Sequence, residues 1–198
     1  MRPIGVGEVL RRIVGKVVMS VVGDDVLTAT GALQLCAGHE AGAEAVVHAM
    51  SSIFQDDQTE AVILVDAENA FNNLNRRVAL LNIAVLCPAI ATVLINCYRG
   101  DAPLFVGGIT LQSTEGTTQG DPLAMSMFAL ASVPLIKKIS SKGATQAWFA
   151  DDASCGGKAV PIRNWWNQLV LSGPRYGYFP NASKTIMIAK EEAKDKGG

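Results

Sequence analysis

The chain has 198 residues, of which 49% are hydrophobic, and its formal net charge is −1. This length and composition suffice for one domain with a sizeable core. The near-neutral charge argues against a large basic surface that binds nucleic acid by itself. Four separated cysteines without a Cys-x-x-Cys pair exclude a cysteine-rich zinc site. Free thiols and the lack of a signal-peptide pattern favour an intracellular location, without distinguishing nucleus from cytoplasm.

The first third of the chain predicts two helices and a strand. Apolar periodicity predicts helices over Val9–Val22 and Glu40–Phe54. The apolar run Ala61–Val65 is short and bounded by an acid, so it predicts a buried strand with Asp66 at its end.

The segment Val78–Cys97 carries no charged residue and is long enough to cross a bilayer. Pro88 lies near its middle, where it would break a single helix. Two shorter buried helices, the second beginning at Pro88, therefore fit the segment better than a membrane span. No membrane partner is expected.

Gly107-Gly108 separates two short apolar runs and predicts a hairpin. The elements predicted from here onward are strands Pro103–Val106 and Ile109–Gln112, helix Pro122–Ile139, strands Ala147–Ala150 and Ala153–Cys155, helix Ile162–Leu171 and strand Thr185–Ala189. Mixed strands and helices in this order predict an α+β fold, with one mixed or antiparallel sheet backed by helices.

Aspartates stand at the ends of two predicted strands. Asp66 ends the first, and Asp151 with Asp152 forms the turn between two later strands. A buried carboxylate is costly unless it is paired or binds a cation, and neither segment contains Lys or Arg. A shared divalent ion would explain them. Turn-forming aspartates that are unrelated in space are an equally good explanation of the acids alone.

The order of four segments resembles the reverse transcriptase family, most closely the LINE-like retrotransposons without long terminal repeats. The segments are Asp66–Asn72 (Asp-Ala-Glu-Asn-Ala-Phe-Asn), Glu115–Leu123 (Glu-Gly-Thr-Thr-Gln-Gly-Asp-Pro-Leu), Phe149–Asp152 (Phe-Ala-Asp-Asp) and Gly177–Thr185 (Gly-Tyr-Phe-Pro-Asn-Ala-Ser-Lys-Thr). The opening Arg2–Ile4 and the spacing Gln34, Gly38, Gly42 resemble segments on the fingers side of that family. The resemblance covers nearly the whole chain.

The resemblance implies an RNA-directed DNA polymerase palm. Residues 1–60 would be partial fingers, residues 61–190 the palm and residues 191–198 a frayed tail, with no thumb. Asp66 and Asp151 would ligate two Mg²⁺ ions, with Asp152 beside them and Mn²⁺ as a substitute. The reaction would be attack of a primer 3′ hydroxyl on the α-phosphate of a deoxynucleoside triphosphate.

The resemblance also implies five nucleotide-binding residues. Phe71 would exclude the 2′ hydroxyl of a ribonucleotide, although by position alone it is an ordinary core phenylalanine. Gln119 and Gly120 would lie against the incoming nucleotide, although Gly-Asp-Pro also predicts a simple turn. Lys184 would approach the triphosphate and Arg2 would contact it; exposed lysines are common, so Lys184 as a solvated side chain is the alternative.

The expected partners are an RNA template, a DNA primer and the missing fingers and thumb regions of a longer polyprotein. Gln34 and Gly38 would lie on the side of the template. Without a thumb, an isolated fragment should hold primer–template poorly and be inactive or weakly active. Two other functions remain open. One is an RNA-directed RNA polymerase, which Phe71 argues against, and the other is a catalytically inert nucleic-acid-binding remnant.

Overall fold

A computed structural model describes residues 8–118 and 120–191. Arg2, Gln119 and residues 192–198 lie outside these ranges, so the predictions made for them are not addressed by the structure. The helices are α1 Val9–Thr30, α2 Gly42–Gln55, α3 Arg76–Leu86, α4 Pro88–Tyr98, α5 Ala124–Lys138 and α6 Ala159–Tyr176. The strands are β1 Ala61–Val65, β2 Ala102–Val106, β3 Ile109–Ser113, β4 Ala144–Phe149, β5 Asp152–Gly157 and β6 Ile186–Ala189.

The main sheet has four strands in the order β4-β5-β1-β6, and every neighbouring pair is antiparallel. The central strand β1 pairs with β5 on one side and with β6 on the other. Strands β2 and β3 form a separate two-stranded ribbon. The predicted α+β fold is thus confirmed, with an antiparallel sheet.

Helices cover both faces of the main sheet. Side chains alternate between faces along a strand, and Ile63, Val65 and Cys155 point into the main core. There they join side chains of α5 and α6, among them Leu130 and Trp165, which are almost fully buried.

Helix α2 lies on the opposite face, against β4 and β5. A Cβ on Gly156 would meet the Ile53 side chain of α2 at 2.6 Å, so this close approach needs glycine.

Several predicted boundaries were wrong at the ends of helices. Helix α1 continues eight residues beyond Val22, to Thr30, because Val26 and Thr30 are buried at 0% and 1% exposure. That burial outweighs the cost of Gly23 in a helix, about 1 kcal/mol. Helix α5 begins at Ala124 rather than at Pro122, since the Asp121 side chain accepts a hydrogen bond from the Leu123 N–H at its entrance.

Helix α6 is longer than predicted at both ends and stops at Gly177, whose φ is +79°. By contrast, β1 has the predicted bounds and α4 begins at Pro88, as expected. Within residues 8–118 and 120–191, no helix combines the length and the apolar character needed to cross a membrane.

Candidate functional site

The three aspartates lie at one end of the main sheet. Val65 at the end of β1 pairs with Ala153 in β5, so the same register places Asp66 opposite Asp152. Phe149 pairs with Asp152, which leaves a two-residue turn containing Asp151 between β4 and β5. Asp66 and Asp152 both line a cavity of about 520 Å³ between α2 and the sheet.

Tyr178 packs beneath the turn that holds Asp151. Its ring is buried and its hydroxyl donates to the Asp151 carbonyl oxygen at 2.9 Å. Burial raises the pKa of Tyr178 well above its ordinary value, and the charges of Asp151, Asp152 and Asp66 raise it further. The strand register, which places Asp66 opposite Asp152 and next to the Asp151 turn, argues against turn aspartates that are unrelated in space.

Lys184 reaches this cluster from the segment after α6. Its ammonium nitrogen lies 3.4 Å from a carboxylate oxygen of Asp66. The backbone holds the two segments together, because the Asn181 N–H donates to the Asp66 carbonyl at 2.8 Å. The Lys184 side chain is 64% exposed, so one face of the ammonium remains open to solvent or to an anion.

Phe71 lies in the core, in the segment that follows β1 and Asp66. It is 8% exposed and its ring stacks on Phe128 of α5, with centroids 4.2 Å apart. Its carbonyl accepts a hydrogen bond from the Thr117 N–H, which ties the segment after β1 to the loop before α5. A role of Phe71 in sugar selection stays a prediction.

The loop before α5 turns tightly at Gly120, one of the predicted nucleotide-binding residues. The Asp121 N–H donates to the Thr118 carbonyl at 3.0 Å, and Gly120 has φ +100°. This backbone conformation favours glycine, because a Cβ would be strained there. Gly120 is exposed.

Arg76 anchors that loop, and the sequence gives little signal for it. Its side chain is 6% exposed and donates to the carbonyls of Gly100, Ser113, Glu115 and Gly116 and to the Ser113 hydroxyl. All five N–H donors of a guanidinium are used in this way. An Arg at the start of an apolar helix normally predicts a solvated side chain.

A second anchor joins α1, α4 and the same loop. One carboxylate oxygen of Asp121 accepts from the Tyr98 hydroxyl at 2.7 Å and from Arg11 at 2.8 Å. Burial and the neighbouring Asp121 charge raise the pKa of Tyr98. The sequence indicates this anchor only through Asp121 of the Gln-Gly-Asp-Pro segment. Its partners Arg11 and Tyr98 lie 110 and 23 residues away in the sequence.

Gln34 and Gly38, predicted on the template side, have different surroundings. Gly38 is exposed and has φ +88°. Gln34 is 0% exposed, and its amide is hydrogen-bonded to Ser132 and to the backbone of Ala150. It supports the acidic turn from inside the protein, so a contact with template would require these bonds to open.

The donor chemistry of the cluster suits Mg²⁺. Among the described residues, no three His, Cys, Asp or Glu side chains form a ready-made metal cluster. Mg²⁺, however, is usually held by one or two carboxylates, with waters and substrate phosphates as further ligands. Asp66 already accommodates a positive charge, the Lys184 ammonium. Hard carboxylate oxygens fit Mg²⁺ or Mn²⁺. The Cys36 thiol lies near Asp151, but burial raises its pKa to about 12, so it stays protonated and is a poor metal ligand near neutral pH.

No protein-family model and no curated protein matches the chain. Among solved structures it is similar to apo telomerase from Candida tropicalis, with a TM-score of 0.60 and 13% identity over 92% of this chain and 37% of that one. It is also similar to Candida tropicalis telomerase in complex with a TWJ fragment of telomeric RNA, with a TM-score of 0.64 and 11% identity over 89% of this chain and 33% of that one.

These neighbours are reverse transcriptases. The chain has a mixed α+β fold that is like a part of these telomerase chains and is consistent with a partial palm-like fold. It spans about two fifths or less of the length of the telomerase chains, and identities of 11% to 13% establish the fold alone.

Proposed function

We propose that this chain is the palm of an RNA-directed DNA polymerase from a LINE-like retrotransposon. It would act inside the cell with the remaining fingers and thumb of a longer polyprotein, on an RNA template and a DNA primer. The observation that carries the proposal is the strand register, which places Asp66 opposite Asp152 and next to the turn that holds Asp151, on a palm-like fold.

The two aspartates that end β1 and form the β4–β5 turn, Asp66 and Asp151, would hold Mg²⁺, with Asp152 beside them. When bound, such ions activate the primer 3′ hydroxyl and neutralise charge on the transferred and leaving phosphates. The strand register supports this role, because it places the carboxylates at the ends of paired strands, where the rigid sheet limits their movement.

Lys184 supplies a positive charge next to the acids. Its ammonium at 3.4 Å from Asp66 is exposed enough to donate to a phosphate oxygen of a bound triphosphate. From the same position it would donate a proton to the departing pyrophosphate. Gly120 and its turn would let the backbone approach the nucleotide, since no Cβ stands in the way.

Primer extension tests the proposal. At a protein concentration high enough to compensate for the weak grip expected without a thumb, wild-type protein should extend a DNA primer on an RNA template with Mg²⁺ and deoxynucleoside triphosphates. Asp151→Asn should then lose at least about a hundredfold in rate, as expected for a missing metal ligand. Asp24→Asn, an exposed aspartate of the Gly23-Asp24-Asp25 segment in α1, is the matched control and should behave as wild type.

Three results would contradict the proposal. They are activity that survives Asp151→Asn, a loss of activity in Asp24→Asn, and a wild-type protein that extends no primer. Parallel reactions with ribonucleotides separate the proposal from RNA-directed RNA synthesis, which predicts their preferential incorporation.

A further inference from the structure

The turn that carries Asp151 is held in an unfavourable backbone conformation. Ala150, the first of its two central residues, has φ +53°. Residues with a Cβ rarely adopt this left-handed conformation, and it persists where surrounding contacts impose it. Such a contact must act on the Ala150 backbone itself, because an alanine side chain makes no hydrogen bond.

Gln34 provides that contact from 116 residues away in the sequence. Its side-chain oxygen accepts from the Ala150 N–H at 2.8 Å, and its side-chain nitrogen donates to the Ala150 carbonyl at 2.9 Å. One amide thus satisfies both polar groups of one backbone residue. The same nitrogen donates to the Ser132 hydroxyl of α5 at 3.1 Å, which fixes the amide to the core helix.

The surroundings of Gln34 leave it little freedom. The residue is 0% exposed, and the next residue, Leu35, donates its N–H to the Trp148 carbonyl of β4 at 2.9 Å. Ser132 in turn donates to the Ala129 carbonyl at 2.8 Å, so its oxygen is oriented to accept from Gln34. The amide is therefore part of a fully buried network between α5, the segment after α1 and the acidic turn.

We infer that Gln34 is a positioning residue, which holds Ala150 in its left-handed conformation and thereby places the Asp151 carboxylate for cation binding. The cation-binding part rests on the proposed function. The hydrogen-bonded clamp on Ala150 does not, and the two parts can be tested separately. Residues that orient metal ligands without touching the metal typically change metal affinity by about 10- to 100-fold when they are replaced.

Hydrogen exchange tests the clamp in the wild-type protein. The Ala150 amide belongs to a turn residue, so the sheet ladder gives it no partner, and its protection should depend on Gln34. It should exchange at least about a hundredfold more slowly than an exposed amide, because opening must precede exchange. In Gln34→Met, which keeps the side-chain length but not the amide, protection of this amide should disappear. Fast exchange of Ala150 in wild type would overturn the clamp even if the variant does not fold.

Manganese binding, measured by electron paramagnetic resonance, tests the positioning role. Gln34→Met should weaken Mn²⁺ binding by at least about tenfold. Gln146→Met is the matched control, because Gln146 also makes three hydrogen bonds, to Trp148, Trp165 and the Ile136 carbonyl, but away from the turn. It should lose stability and keep both Mn²⁺ affinity and Ala150 protection.

Each outcome separates the two proposals. Unchanged Mn²⁺ affinity in Gln34→Met, with Ala150 deprotected, overturns the positioning role. A wild-type protein that binds no Mn²⁺ overturns the metal site of the proposed function and with it this role, while hydrogen exchange still decides the clamp. Mn²⁺ binding without primer extension contradicts the polymerase and leaves the positioning role standing.

Discussion

Replacing Arg76 with lysine should lower the free energy of unfolding by about 2 kcal/mol, although the charge is kept. Arg76 begins α3, is 6% exposed, and makes five side-chain hydrogen bonds to the loop around Ser113–Gly116 and to Gly100. The five acceptors are arranged around the planar guanidinium group of Arg76. An ammonium has three donors that leave a single atom, so it cannot reach all five of these acceptors.

The magnitude follows from the bonds that are lost. Lysine can replace at most three of the five, and each lost bond to a partly buried carbonyl costs about 1 kcal/mol net. Arg76→Met loses all five and should cost about 5 kcal/mol by the same reasoning. Because this loop continues into the turn at Gly120, a weakened anchor should also reduce nucleotide affinity if the proposed function is right.

Urea-induced unfolding measures the effect, with the unfolding slope checked for constancy between variants. Arg77→Lys is the control, since Arg77 is the next residue of α3 and is exposed. It should change stability by less than about 0.5 kcal/mol. If Arg76→Lys falls within the same limit as this control, the anchoring role assigned to Arg76 is wrong.

Three further predictions concern the core and the acids. Phe71→Val should admit ribonucleotides and lower the free energy of unfolding by about 2 kcal/mol. Phe128→Leu, which removes the stacking partner of Phe71, should keep the selectivity for deoxynucleotides. If competitive incorporation shows equal sugar selectivity in both variants, the role of Phe71 as a gate is refuted. Burial raises the pKa of Cys155 from 9.0 to about 12. The free energy of unfolding should therefore fall as pH rises from about 9 through 12, and Cys155→Ala should reduce that fall in urea titrations at alkaline pH. If the substitution leaves the pH dependence of stability unchanged, this prediction is wrong. Lys184→Met should bind Mn²⁺ more tightly, because the ammonium beside Asp66 competes with the ion. The same variant should extend primers about a hundredfold more slowly, because it lacks the proton donor. Weaker Mn²⁺ binding would contradict the placement of Lys184 beside the cation site.

Much of the sheet was predictable from local pattern. Ala61–Val65 is apolar, short and bounded by an acid, and it forms β1 with these bounds. Pro88 fixes the start of α4, because proline lacks the N–H that a helix interior needs. By contrast, Gly23-Asp24-Asp25 has the composition of a turn, and α1 passes through it because residues on both sides are buried in the core.

The sequence alone pointed to the acids of the candidate site, but not to the residues that hydrogen-bond to the acidic turn. Asp66 and Asp151 stand out because aspartates at the ends of apolar strands need an explanation, and the order of segments supplied one. Gln34 was predicted at the template side, since nothing local indicates a bond to a backbone 116 residues away. Tyr178 likewise becomes important only when the fold brings its hydroxyl under Asp151.

A double-mutant cycle on Mn²⁺ affinity would show whether Asp66 and Asp151 hold the same ions. If they do, Asp66→Asn and Asp151→Asn should each weaken binding strongly, and the double variant should lose much less than the sum of the two free-energy changes. Two losses that simply add, or an affinity unchanged by either substitution, would mean that the carboxylates do not form one cation site.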